Sequence, residues 1–331
     1  MANDDKIVSD EFSELFHYTN VSAFENIYNT RKLWATHYLD LNDTSEFSRF
    51  RLKVQQFIFP KIRDIFDRQM HLSTDFATDV NSHGGIDAVV GEEVEDVLSV
   101  VHNRTFGKEM YKETFVISFC AHTQPDEAKD GLLSQWRGYS EGGGVAIVFD
   151  TSKLEKMLRL EHDKYQINNI STLSTVIYDH PSSGPIIKDK FKSVFTNFPD
   201  ILKERYPESG PPDLPTLQNC FEAMHDDLLF GSIRVKHNAF HEKNEIRLVV
   251  PITTIDSFSY DSDDSRPLKK IRYKQKGNCE VQYIELFGHM PLPIKRVIVG
   301  PSRIQNLNFQ KINELTDPSI EVVKSDIPFV G

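Results

Sequence analysis

Glu245 and Arg247 stand two residues apart in the run Asn244-Glu245-Ile246-Arg247-Leu248-Val249-Val250. Alternate side chains of an extended strand share a face, so this carboxylate and guanidinium point one way while Ile246, Leu248 and Val250 point the other. Such a pair is either an ordinary exposed ion pair or part of a cleft wall. Trp136-Arg137-Gly138-Tyr139 concentrates two rings and a cation beside a glycine, a composition suited to stacking on a flat ligand and holding phosphate, or to plain packing. His17, in Phe16-His17-Tyr18-Thr19, shares a strand face with Leu15 and reads either as a satisfied core histidine or as a ligand contact. His237 and His241 have the i, i+4 spacing of paired metal ligands on a helix, with Glu242 beside them, but the HExxH pattern is absent.

Strands and turns must position these groups. Leu15 to Thr19 is expected to be a strand, followed by a helix over Val21 to Arg31 that Asn20 caps and whose Val21, Phe24, Ile27 and Tyr28 share a face. Leu33 to His37 is a second strand. Asp43 and Glu46 have capping-box spacing, which predicts a long helix from there towards Met70 with a break at Pro60. A helical segment fits Glu92 to Val101, strands fit Phe115 to Cys120 and Val145 to Asp150, and Leu132 to Tyr139 reads as a helical turn. Gly142-Gly143-Gly144 precedes a strand instead of opening a helix, so it is a hinge and a weak phosphate motif. Residues 186–235 read as a helical insertion, interrupted at Gly210-Pro211-Pro212, within one α+β domain spanning 1–331. Glu245 to Pro251 and Arg296 to Val299 are late strands, with Tyr283 to Phe287 and Ile320 to Lys324 as further ones.

Composition narrows the classes. A net charge of −11 over 331 residues argues against a general nucleic-acid coat or an anionic-membrane binder, both of which rely on positive surface. The one basic run, Pro267 to Lys276, reads as a solvated strand or loop. Three scattered cysteines indicate neither a disulfide framework nor a metal knuckle. No signal-like start and no apolar run of membrane-spanning length is found, so a cytoplasmic location without membrane partners is the expectation.

Several blocks in chain order resemble the bacterial family called domain of unknown function 2971. They are Phe16-His17-Tyr18-Thr19, Leu33-Trp34-Ala35-Thr36, Leu41-Asn42-Asp43 with Glu46, Ser118-Phe119, Gln135 to Tyr139, Gly144 to Asp150 and Asn244 to Arg247. That family name implies no activity. A His-x-Thr strand, a helix, a second strand and a late strand bearing Glu are more distantly similar to the ADP-ribosyltransferase superfamily, which includes toxins that modify DNA. This resemblance implies a mixed, mostly antiparallel split sheet flanked by helices, with NAD as substrate. It implies His17 and Thr19 as NAD contacts and Glu245 as the catalytic carboxylate that orients the ribose. Tyr38, Tyr139 and Trp136 are alternatives for stacking on nicotinamide, and Arg137 or Arg247 would pair with the pyrophosphate. Tyr18, Asn42 and Asp43 complete the expected binding set.

The expected function is therefore an NAD-consuming ADP-ribosyltransferase or NAD glycohydrolase, a toxin or phage-defence effector with a protein or nucleic-acid acceptor. The alternative is a non-catalytic nucleotide-binding sensor on the same scaffold. A metal-dependent hydrolase or nuclease using His237, His241 and Glu242 is a third.

Overall fold

A computed structural model describes residues 7–41, 46–107, 111–139, 143–206, 214–257 and 260–328. Runs rich in β-branched and aromatic residues form the strands, because such side chains pack well on a pleated surface. In chain order these are β1 (Glu14–Asn20), β2 (Leu33–His37), β3 (Thr114–Cys120), β4 (Gly144–Asp150), β5 (Thr172–Thr175) and β6 (Ile177–Asp179). They continue with β7 (Val235–His237), β8 (Glu245–Pro251), β9 (Arg272–Lys276), β10 (Cys279–Leu286), β11 (Ile294–Val299) and β12 (Glu321–Lys324). The helices are α1 (Val8–Glu11), α2 (Val21–Thr30), α3 (Glu46–Leu72), α4 (Thr74–Ser82), α5 (Ile86–Phe106) and α6 (Pro125–Asp130). After them come α7 (Leu133–Tyr139), α8 (Thr151–Lys164), α9 (Gly184–Lys190), α10 (Lys192–Arg205), α11 (Leu214–Arg234) and α12 (Gln305–Leu315).

Among the described residues, ten strands make one open sheet in the order β12-β11-β4-β1-β3-β2-β10-β9, with β8 pairing β3 and β5 pairing β8. Within it only β11 and β12 run parallel. A separate parallel pair, β6 and β7, lies beside it. The fold is thus mixed α+β with a mostly antiparallel sheet. One sheet face carries Leu15, Phe115, Ile117, Ile147, Ile246 and Leu248 against residues of α2, α8 and α12. The opposite face is covered in part by a helical layer in which α3, α5, α10 and α11 share a second apolar core.

The expected break at Pro60 does not occur: α3 runs unbroken from Glu46 to Leu72 with Pro60 inside it. A proline in a helix interior costs about 3 kcal/mol through a lost hydrogen bond and a clash. Here the stripe Phe50, Val54, Ile58, Ile62 and Phe66 passes straight through that position and is buried along its whole length, which offsets the cost. Asn42, Asp43 of the expected capping box, Gly142 and the Gly210-Pro211-Pro212 interruption lie outside the described residues. Gly143 has φ 111, and a Cβ there would stand 2.5 Å from Ser302 Oγ, so this glycine serves a close approach. Gly144 already belongs to β4, opposite Asn20 of β1.

One irregularity of the sheet matters most. Strand β3 pairs β8 along its full length from Thr114 to Cys120, which fills one edge. Its other edge is shared: β1 touches it only at Phe16 opposite Cys120, and β2 only at Thr36 and His37 opposite Val116 and Phe115. Extending either register would bring Tyr18 and Trp34 to the same place beside Ser118. Only one strand fits an edge, so β1 leaves with β4, β2 leaves with β10, and the sheet forks.

Candidate functional site

A cavity of roughly 380 Å³ fills the fork. Its floor is Ile117 and Ser118 of β3, one wall is Phe16 to Thr19 of β1, the other is Leu33 and Trp34 of β2, and Ala23, Asn26 and Ile27 of α2 close it. Helix α2 stands there because it begins where β1 ends, with the Asn20 side chain accepting from the Ala23 N–H at 2.8 Å. Lys32, Lys243, Lys274 and Lys276 line the cavity, with Asp40 the single carboxylate among the described lining residues. Lys32 is paired with Glu285 at 2.8 Å and Lys243 stands 3.4 Å from Glu245 Oε2, so part of this positive charge is met within the protein, and the balance suits an anion.

On the β1 wall, His17 Nδ1 donates to the Ser118 carbonyl at 3.1 Å, taking up an acceptor that the fork leaves without a ladder partner. Nε2 is then the lone-pair nitrogen. Burial pushes the His17 pKa down, the Ser118 carbonyl opposes this, and Lys243 lowers it further, so the ring is neutral at neutral pH. Thr19 also lines the cavity. Tyr18 borders it, but its hydroxyl is used within the fold: it accepts from the Leu132 N–H at 2.9 Å and pairs with His122 Nε2 at 2.7 Å. Burial holds the His122 pKa down at about 4, so its Nε2 is the acceptor for the tyrosine proton.

Glu245 lies beneath the floor, 1% exposed. Ser118 Oγ donates to Glu245 Oε1 at 2.6 Å, which makes Ser118 the link between the cavity and this carboxylate. Arg247 Nε donates to Oε1 at 2.9 Å, Lys236 Nζ to Oε2 at 3.1 Å, and Lys243 Nζ stands 3.4 Å from Oε2. Burial alone would raise the Glu245 pKa, but Arg247, Lys243, Lys236 and the Ser118 hydroxyl outweigh it and hold the carboxyl well below the usual range. The exposed-pair alternative for Glu245 and Arg247 is thereby corrected. Both are buried, since helices cover this face of β8, and Arg247 also donates to the Ile233 carbonyl.

The remaining expected positions divide. Tyr139 is on the cavity wall with Lys243 Nζ 5.5 Å from its ring centroid. Tyr38 does not line this cavity; its ring packs on Phe106 at 5.5 Å and on His37 at 4.7 Å. Trp136 is a core residue, 2% exposed, with Nε1 donating to the Asp130 carbonyl at 3.0 Å and its ring edge-on to Tyr18. Arg137 is exposed on α7 and is not part of the wall. His237 and His241 are tied into their own turn, accepting from the Ala239 N–H and donating to the Asn238 carbonyl respectively, while Glu242 is exposed. Among the described residues no three His, Cys, Asp or Glu side chains are grouped to hold a metal ion.

Sequence reasoning missed Trp34, Ser118 and the four lysines as site residues. Two of those lysines belong to the basic run at 267–276, the only local signal that pointed towards them. The second half of that run forms an exposed edge strand, β9, whereas Lys269 in the first half is buried against Glu161. No described helix is long and apolar enough to cross a membrane.

Comparison with known proteins gives a narrow result. No curated protein and no solved structure matches the chain. The model of the family described as "Protein of unknown function (DUF2971)" matches residues 135–248, which begin in α7 and end in β8, and so take in Glu245, Arg247, Lys236 and Lys243.

Proposed function

We propose that the cavity in the fork holds NAD and that the chain consumes it, passing ADP-ribose to a macromolecular acceptor or to water, on an ADP-ribosyltransferase-like scaffold. The observation that carries this reading is the junction at Ser118. Ser118 lines a cavity that carries lysines and is walled by His17 and Thr19, and its hydroxyl is bonded to an ionised, buried Glu245. Breaking the bond between C1′ of the ribose and the nicotinamide nitrogen sends the electron pair to the leaving nicotinamide and builds oxocarbenium-like charge on the sugar. A carboxylate that strengthens the acceptor power of Ser118 towards a ribose hydroxyl becomes more favourable as that charge grows. The incoming acceptor then bonds to C1′ and gives up its proton to water. The lysines would meet the pyrophosphate, and a protein or nucleic-acid acceptor and a toxin or phage-defence setting follow from the resemblance alone.

A second reading is binding of the same ligand without cleavage, favoured by the three cations that hold Glu245. A cluster with net positive charge disfavours a cationic sugar beside it. Incubation with labelled NAD and cell lysate separates the two. Free nicotinamide with labelled macromolecule indicates transfer, nicotinamide alone indicates hydrolysis, and saturable binding with neither indicates a sensor. No binding of NAD at all would refute both readings.

A further inference from the structure

The β2 wall of the cavity carries an aromatic surface that the reaction described above does not use. Register places Trp34 opposite Glu285, and Tyr283 opposite Thr36, on adjacent strands. Their rings meet at 4.5 Å and 33°. The next strand brings a cation to them: Lys274 Nζ is 5.0 Å from the Trp34 ring centroid and 5.5 Å from that of Tyr283. Lys276, two residues on, shares its strand face and also lines the cavity. Trp34 is 38% exposed and lines the cavity, whereas Trp136, the other tryptophan of the chain, is 2% exposed.

We propose that Trp34, with Lys274 and Lys276, forms an adenine-nucleotide subsite in which the base stacks on Trp34 and the phosphates meet the two lysines. This rests on the reading of the cavity as an NAD site and assigns which half of the dinucleotide lies against β2. The charge pattern decides the half. The nicotinamide ring of NAD is cationic and is disfavoured beside Lys274 and Lys276, whether the Lys274 ammonium stays over the indole or turns aside, while adenine is neutral and its phosphates are attracted. Base stacking on an aromatic side chain exceeds an exposed cation–π contact in strength, so Lys274 yields the ring face to the base and turns to the phosphate.

Only Trp34 can report stacking in the cavity, so tryptophan fluorescence tests the assignment directly. AMP is expected to quench the wild-type protein and to leave the emission of Trp34→Phe unchanged. Trp34→Ala is expected to weaken AMP binding by about 5- to 150-fold in calorimetry, with Trp34→Phe keeping most of it. Lys274→Met is expected to weaken AMP but not adenosine, and nicotinamide mononucleotide is expected to give no quench. Thermal unfolding of each variant guards against loss of fold. If NAD binds but Trp34→Ala leaves AMP affinity within twofold, or if nicotinamide mononucleotide quenches and AMP does not, the subsite is refuted while the NAD site stands. If neither NAD nor AMP binds the wild-type protein, both fall.

Discussion

Replacing Glu245 by Gln keeps the shape of the side chain and removes its charge, at a site where charge is the main content. In the native protein one carboxylate faces Arg247, Lys236 and Lys243 at 2.9, 3.1 and 3.4 Å, all beneath the cavity floor. The amide oxygen of Gln can still accept from Ser118 and Arg247. Its amide nitrogen would then face Lys236 and Lys243, donor against donors. Removing one member of a buried ion pair costs about 3–5 kcal/mol, because the partner charges stay buried without compensation. At the usual unfolding entropy per residue for a chain of this length, that lowers the midpoint by about 4–7 °C. The sign with pH is fixed by the direction of the shift. The Glu245 pKa is depressed in the folded state, so its contribution is full above the ordinary value of 4.5 and is lost as pH falls below it. Wild type and variant should therefore differ most near neutral pH and converge on acidification. Urea unfolding at several pH values measures this, with an unchanged m-value required for comparison. Nicotinamide release, compared per folded molecule below the variant's midpoint, should fall by about a hundredfold or more if the carboxylate steadies the developing charge. A stability loss under about 1 kcal/mol at pH 7 would refute the electrostatic account of the cluster, and retained turnover would refute the catalytic role.

Tyr18→Phe removes the hydroxyl that serves both Leu132 and His122, leaving a buried N–H and a ring nitrogen without their partner; a loss of about 1–3 kcal/mol in urea unfolding is expected, with NAD affinity little changed. A large affinity loss with normal stability would instead make Tyr18 a ligand contact. Gly131→Ala should destabilise by about 1–3 kcal/mol or more, since φ is +79 and the new Cβ would stand 2.6 Å from the Trp136 ring; a neutral result in thermal unfolding would contradict that packing. The His17 pKa is depressed in the folded state, so its contribution to stability is full above the ordinary value of 6.5 and declines as pH falls below it. Comparison with His17→Asn over that window should show a slope difference of up to about 1.4 kcal/mol per pH unit, and identical slopes would place the folded and unfolded pKa values together.

Several elements are legible locally because their information is local. Alternation in Leu15 to Thr19, Phe115 to Cys120 and Glu245 to Pro251 marks strands, and Asn20 before an amphipathic run marks a capped helix; the structure has all four, with ends within a residue or so. Alternation also puts Glu245 and Arg247 on one face. It says nothing of whether helices cover that face, and here burial converts a surface pair into a four-charge cluster under the site. Pro60 shows the reverse limit, a strong local breaker overruled by an apolar stripe whose burial depends on distant α5 and α10.

For this protein, sequence by itself determined the strands that carry His17, Ser118 and Glu245, and which side chains share each strand face, because backbone periodicity depends only on neighbours in the chain. Tertiary structure alone decided that β1 and β2 compete for one edge of β3, that the resulting fork is a cavity, and that Lys32, Lys243, Lys274 and Lys276 converge on it. It also decided that Trp34 lines the cavity while Trp136 is core. Strand pairing and charge convergence are contacts between residues tens to hundreds of positions apart, and no local pattern encodes them.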